Sequence, residues 1–453
     1  MSLETLSVLV GILFVLSIAV SWLRQNTLFT TSVLFLGVWS LVLLAQYYQN
    51  IHVGYDYIPE DSYRVLALGI VSLTLGCLGA QLLLGRSRST TDELQAANCD
   101  LPRFVRKLFP FVFLLVFIPG LGAFFSQGGG VSFALENLQD IRVAHVWGES
   151  QSVFFRLANY AVNVALATSV LLAVADSQTR TVSIGRLALL ILAVLPFSLS
   201  KGARVEFVQV ALYYAAASFV LLSLRPASPQ ARDSARRFVR TILKKFPLVL
   251  AFLLAFFAII GIARSPHRFQ ELSSMLDFVL APVTGYLAAS VYSVGPLTLW
   301  ISEHIGFTFG DRYFDFFHRL LGLLGVEVVA GKETVRSAWS ELGSIAYTPG
   351  TFVRHLVSDF GLRAFPYVAF AIGFGSTLAV LRMPAKSLLA IGFLTLIVFD
   401  LGYSFHDVGL FTVRNFYILI VLFVIAQAFE LYRRRRARAR REFWPATPPG
   451  WGR

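Results

Sequence analysis

Long apolar runs separated by short polar segments are the main pattern along this chain. A helix needs about 20 largely apolar residues to cross a bilayer, because its backbone groups must be paired internally there. The runs that meet this description cover residues 3–23, 28–48, 65–84, 108–125, 153–175, 187–200, 205–224, 247–263, 365–381, 387–403 and 410–429. The pattern predicts an all-α polytopic integral membrane protein with about 11 transmembrane helices.

Two apolar stretches allow more than one interpretation. Residues 187–224 form either two spans or a re-entrant pair, since the first run is short. Residues 278–301 are apolar, but Pro282, Gly285, Gly295 and Pro296 interrupt them. This second stretch is typical of helices that lie at the membrane interface or re-enter it.

Charge then orients the chain, of which 56% is apolar and only 14% charged. The basic loops are 85–107, 225–245 and 433–441, and basic loops stay on the cytoplasmic side. This rule predicts an N-terminus outside and a C-terminus inside. All seven histidines then fall on the outer side.

The resulting organisation has four parts. Residues 1–263 hold the first eight spans, 264–364 a large periplasmic or extracellular loop with short helices, 365–430 the last three spans, and 431–453 a basic cytoplasmic tail. The formal net charge is +13, and its location next to predicted membrane surfaces favours anionic lipid over nucleic acid as the partner.

A basic turn, residues 200–204, lies at the predicted outer boundary. Lys201 and Arg204 flank the start of the next helix, whose free amides add to an anion site. This arrangement suits a phosphate or pyrophosphate group. The alternative is that both side chains extend to lipid phosphates.

A short helix is predicted for residues 348–361, with Thr348 as N-cap, Pro349 as first helical residue and Gly361 as its end. On this helix Thr351, His355 and Asp359 share one face. A carboxylate beside an imidazole raises its basicity, as a general base requires. The alternative is an ordinary pair on an exposed helix surface.

Further cations on the predicted outer side are Arg142, Arg264, Arg354 and Arg414. Arg414 lies in an apolar run, where a guanidinium needs a partner, an aqueous cavity or a route to the interface. The sequence has no motif for a nucleotide or a metal ion, so we expect no cofactor.

Three features together resemble the bacterial oligosaccharide repeat-unit polymerases, the Wzy-type O-antigen and exopolysaccharide polymerases. They are the Lys-Gly-x-Arg turn at 201–204, the tyrosine-rich patch at 286–296 and the Arg/His-bearing segment that ends in Asp359-Phe360-Gly361.

The resemblance implies a glycosyltransferase of the bacterial inner membrane whose site faces the periplasm. It would transfer a growing glycan from undecaprenyl pyrophosphate to the terminal sugar of an incoming lipid-linked repeat. Arg142, Lys201, Arg204, Arg264, Arg354 and Arg414 would then bind the pyrophosphate, His355 would activate the acceptor hydroxyl, and Asp359 would orient His355. A chain-length regulator and a flippase are expected partners.

Three alternatives stay open at this point. An O-antigen ligase would use the same cations and base with another acceptor. A flippase or transporter predicts polar or broken helices at the bilayer midplane, whereas the ionisable residues here gather at the outer side. An outer-face scaffold subunit would have no activity, and only the Arg/His constellation argues against it.

Overall fold

The computed structural model describes residues 1–52, 60–84, 98–126, 152–179, 181–201, 205–224, 351–385, 387–405 and 412–443, and isolated helical positions between 233 and 320. Within these residues every regular element is a helix. The helices are α1 Leu3–Gln25, α2 Thr31–His52, α3 Glu60–Leu84, α4 Leu101–Phe125, α5 Val153–Thr179, α6 Ile184–Ser200, α7 Val205–Ser223, α8 Phe352–Arg382, α9 Leu388–Gly402 and α10 Val413–Phe443.

Ten of the predicted spans coincide with these ten helices. Eight helices are long and apolar enough to cross a membrane, while α6 and α9 have only 17 and 15 residues. Of the predicted span 247–263 the structure describes only five scattered positions. The all-α, polytopic character is therefore confirmed, and the count of eleven spans stays a prediction.

Helices α1 to α7 alternate in direction and so do α8 to α10, whereas α7 and α8 run the same way, and the bundle has two ends. At one end, which we call the Glu206 end, the Met1 ammonium contacts Glu60 at 2.9 Å and the Phe352 amide donates to Ser404 O at 2.9 Å. At the other, the Arg436 end, Arg382 donates to Leu84 O at 2.8 Å.

Helices α6 and α7 form an antiparallel pair that runs along α5. The first of them begins beside the C-terminal part of α5, where Asp176 accepts a hydrogen bond from the Ser183 amide at 2.7 Å. Near its other end the Phe197 ring packs on Phe155, in the first turn of α5, with centroids 5.1 Å apart. The end of α6 and the start of α7 therefore lie at the Glu206 end, which favours two crossings over a re-entrant pair.

Helix α8 crosses α3 at very short distance. A Cβ atom added to Gly76 would collide with Phe370 O, and one added to Gly373 would collide with Leu73 O. Small residues let two helix backbones approach in this way when lipid supplies no hydrophobic driving force. The crossing fixes the position of α8. It thereby also positions the first turns of this helix, residues 351–360, which we call the His355 segment.

The start of α8 differs from the prediction. Its N-cap is Thr351, whose hydroxyl accepts from the Arg354 amide at 3.3 Å, so Thr351 caps the helix rather than belonging to its face. The predicted cap Thr348 and first residue Pro349 lie outside the described residues. At Gly361 the backbone leaves the helical region, with φ 75° and ψ 162°, as the predicted helix end requires, but the chain continues directly into the spanning part.

The basic segments at the Arg436 end make protein contacts as well as facing the predicted lipid surface. Helix α10 extends to Phe443, beyond the start of the predicted tail, and Arg436 pairs with Asp100 at the start of α4. Lys245, assigned to lipid from the sequence, donates to Val182 O at 3.0 Å.

Candidate functional site

A buried carboxylate between two cations lies at the Glu206 end. Glu206, in the first turn of α7, is 2% exposed. Its Oε1 accepts a hydrogen bond from Lys201 Nζ at 2.8 Å and lies 3.9 Å from Arg414 Nη2. We call Lys201, Glu206 and Arg414 the Glu206 cluster, and its formal charge is one positive unit.

Each cation of this cluster has a second contact that holds it in place. Arg414, second residue of α10, donates through Nη1 to Gln209 Oε1 at 2.7 Å, one turn beyond Glu206 on α7. Lys201 Nζ lies 5.7 Å from the centroid of the Phe197 ring, within reach of a cation–π interaction. Both side chains are therefore fixed by protein groups in addition to any contact with lipid.

A second polar group lies in the first turns of α8. Arg354 is 9% exposed, His355 4% and Asp359 0%. The segment is anchored to the end of α9, because the Phe352 amide donates to Ser404 O at 2.9 Å. It also contacts α2, because the Phe352 ring packs edge-on against Trp39 with centroids 5.9 Å apart, and Trp39 Nε1 donates to Ser404 Oγ at 3.1 Å. The burial of His355 and Asp359 removes the alternative of an exposed surface pair.

The C-terminal end of α9 connects the two groups. The Phe399 ring stacks on Tyr213 of α7, with centroids 4.0 Å apart, and on Tyr403 at 5.2 Å. Tyr213 in turn donates to Asn415 Oδ1, next to Arg414, at 3.1 Å. Tyr403 is followed by Ser404, which accepts the hydrogen bond from the start of α8. Residues 399–404 therefore lie between the Glu206 cluster and the His355 segment.

Polar groups of α2 and of the tyrosine-rich patch border this region. Gln49 donates to Ala281 O at 2.9 Å and to Thr284 Oγ1 at 2.6 Å, so the described part of residues 280–294 packs on α2. The hydroxyls of Tyr286 and Tyr403 are 3.2 Å apart. The region therefore offers amide and hydroxyl groups beside the aromatic rings.

The structure thus brings five predicted site residues, Lys201, Arg354, His355, Asp359 and Arg414, to one end of the bundle. The other three, Arg142, Arg204 and Arg264, lie outside the described residues. Arg414 begins α10 and has protein partners, as a guanidinium near an apolar segment requires.

Sequence reasoning missed Glu206. Its position in the sequence could have identified it, because Glu206 is an ionisable residue near the start of an apolar run, just as Arg414 is. Gln209 and Asn415 gave no comparable signal, since an isolated amide residue is common at helix ends. Their partners lie about 200 residues away in the chain and emerge only from the packing of α7 on α10.

Within the described part of the chain, no three His, Cys, Asp or Glu side chains come together as a metal site would require. Comparison with protein families, with curated proteins and with solved structures finds no match for this chain.

Proposed function

We propose that this protein is a membrane glycosyltransferase that polymerises lipid-linked oligosaccharide repeats at the outer face of the membrane. One observation carries the proposal: two fixed cations and a buried His–Asp segment occur at the same end of an otherwise apolar bundle. The cations suit the pyrophosphate of a lipid-linked donor, and the histidine suits the hydroxyl of an acceptor sugar.

In the proposed reaction His355 takes the proton of the acceptor hydroxyl. The hydroxyl oxygen forms a bond to the anomeric carbon of the donor glycan, while the bond from that carbon to the pyrophosphate oxygen breaks. The electron pair leaves with undecaprenyl pyrophosphate, and the imidazolium returns its proton to water. Asp359, one turn from His355 on the same helix, stabilises the imidazolium in between.

Lys201 and Arg414 act on the leaving group in this scheme. Breaking the glycosyl bond adds negative charge to the pyrophosphate, and fixed cations stabilise that charge as it develops. Arg354 and the predicted cations Arg142, Arg204 and Arg264 are assigned to the same anion. A base that is only 4% exposed is also shielded from bulk water, which limits hydrolysis of the donor.

The test is the size distribution of surface glycan in a deletion strain that carries wild type, His355→Ala or His52→Ala at matched membrane levels. His52 is the control, because it lies at the same end of the bundle but is exposed. We expect a full ladder with wild type and His52→Ala, and single repeats on their final carrier with His355→Ala and in the deletion.

Other outcomes would assign another function. Long polymer stranded on undecaprenyl pyrophosphate in the deletion strain would indicate a ligase. Repeats trapped on the cytoplasmic face would indicate a flippase. Normal polymer length with His355→Ala would remove His355 from the reaction.

A further inference from the structure

The proposed reaction gives Lys201 and Arg414 an anion to bind, but it leaves Glu206 without a role. A carboxylate inside a site for anions repels the ligand that the site is meant to hold. Its presence therefore needs a physical explanation beyond the binding of pyrophosphate.

The three side chains are arranged in depth. The side chain of Glu206 is only 3% exposed, whereas those of Lys201 and Arg414 are 18% and 30% exposed. The carboxylate therefore lies beneath the cations, and each cation keeps a face toward the surface. An anion that arrives from outside meets Lys201 and Arg414 first and Glu206 behind them.

Both cations converge on a single oxygen. Lys201 Nζ is 2.8 Å and Arg414 Nη2 is 3.9 Å from Glu206 Oε1, so the two nitrogens are at most about 6.7 Å apart, the sum of those distances. One phosphate group can span such a gap with charge-assisted hydrogen bonds. Glu206 Oε1 thus makes the interactions that an oxygen of a bound phosphate would make.

The other carboxylate oxygen is bound less firmly. Glu206 Oε2 is buried and receives no hydrogen bond from the residues that the structure describes. A buried carboxylate is normally stabilised at both oxygens. The interaction of Glu206 with the two cations therefore depends on Oε1. This is the atom that an oxygen of the ligand would replace.

We propose that Glu206 is a resident counter-ion that competes with an anionic phosphate or pyrophosphate group for Lys201 and Arg414. This inference rests on the proposed function only for the identity of that anion. Glu206 lowers the charge of the cluster from two positive units to one, and so limits how tightly the anion is held.

The competition has a use in the proposed reaction. The leaving pyrophosphate carries one more negative charge than the esterified donor, so two uncompensated cations would retain the product more strongly than the substrate. With Glu206 present, the cations can return to the carboxylate as the product leaves. Glu206 therefore favours turnover at the expense of affinity.

The experiment measures the affinity of the purified, detergent-solubilised full-length protein for inorganic pyrophosphate by isothermal titration calorimetry. Glu206→Gln keeps the shape of the side chain and removes its charge. We expect it to bind pyrophosphate at least about tenfold more tightly than wild type, with a steeper dependence on salt. Glu60→Gln is the matched control, because Glu60 lies at the same end with its side chain 61% exposed, and its affinity should equal that of wild type.

The converse variant keeps the inference testable if Glu206→Gln fails to fold. Gln209→Glu places a second carboxylate against Arg414 Nη1 and should weaken pyrophosphate binding about tenfold or more. An affinity that stays at the wild-type value in either variant, or that falls in Glu206→Gln, would overturn the role of Glu206 and leave the proposed function standing. Absence of binding by both wild type and Glu206→Gln would overturn this inference together with the anion site of the proposed function.

Discussion

Among the buried carboxylates of the bundle, Asp176 and Glu206 have different environments and, we conclude, different purposes. Asp176, near the end of α5, accepts hydrogen bonds from the amide and hydroxyl of Ser183, both at 2.7 Å, and from the Tyr214 hydroxyl at 2.9 Å. These are neutral donors that join α5, α6 and α7. Glu206 is instead paired with cations. Asp176 therefore holds three helices together, whereas Glu206 sets the charge of the cluster that it forms with Lys201 and Arg414.

Replacing Asp176 should reduce stability without a specific effect on the reaction. Asp176→Ala leaves the buried Tyr214 hydroxyl and two partly buried Ser183 donors without this acceptor, at a cost of up to about 1–3 kcal/mol each. We expect a lower thermal unfolding temperature in detergent and a lower membrane level, with normal polymer length per molecule. Ser177→Ala is the control, since among the described residues that hydroxyl donates to Val174 O of its own helix alone. Lost polymerisation at normal stability would contradict the structural role.

Gly361 has a backbone conformation that only glycine adopts without strain. Its φ of 75° and ψ of 162° separate the His355 segment from the spanning part of α8, and a Cβ there would meet no neighbour within 4 Å. Any effect of a substitution must then come from the backbone.

Gly361→Ala should cost about 1–3 kcal/mol and shift the His355 segment, with a loss of polymer length. Gly375→Ala on the same helix also meets nothing within 4 Å, but its backbone φ is not positive, so it should be neutral or slightly stabilising. Equal thermal unfolding temperatures and equal polymer lengths for the two variants would show that the conformation at Gly361 is unimportant.

At the scale of elements, the crossing of α3 and α8 determines where the candidate base lies. Gly76→Ala or Gly373→Ala would push a methyl group into the facing backbone, which cannot rearrange as a flexible side chain can. We expect a destabilisation of about 1–3 kcal/mol or more, measured by thermal unfolding, and reduced membrane levels. Gly79→Ala should be tolerated, because its nearest neighbours are ring atoms of Phe370 and Phe374 at 3.9 Å. Normal stability of the Gly76 and Gly373 variants would contradict this close crossing.

Helix positions were predictable because a spanning segment must be long and apolar, a pattern that can be recognised in one sequence. The start of α8 was misplaced for a local reason. Thr348-Pro349 has the sequence signature of a helix start, but the cap is Thr351, three residues later, and its choice depends on the contact of Phe352 with Ser404. Pairings such as α3 with α8 join residues almost 300 positions apart, for example Cys77 Sγ and Gly373 O at 3.4 Å, and one sequence carries no direct signal for them.

At the scale of the whole molecule, the distribution of charge assigns the two ends to two sides of the membrane. The Arg436 end carries the basic segments, and the positive-inside rule predicts that it is cytoplasmic. The Glu206 end, with the candidate site, would then face outward. This orientation stays a prediction from the basic loops, and the directions of the described helices are compatible with it.

Cysteine labelling tests the orientation with the residues that the chain already has. Cys77 is buried, while Cys99 is exposed next to Asp100 at the Arg436 end. A membrane-impermeant maleimide should label Cys99 only after the cells are permeabilised. His52→Cys in a Cys99→Ser background is the control for the other end and should be labelled in intact cells. Labelling of Cys99 in intact cells would reverse the proposed orientation.

Reconstitution tests whether this one chain is sufficient to join lipid-linked repeats. Purified protein in liposomes would receive lipid-linked repeats extracted from the deletion strain, without nucleotide and in the presence of a chelator. If the protein is a polymerase, we expect a ladder of glycans that are multiples of the repeat and still attached to lipid, and no ladder with His355→Ala. Single repeats that stay unchanged with stable wild-type protein, or that cross the bilayer without growing, would contradict it.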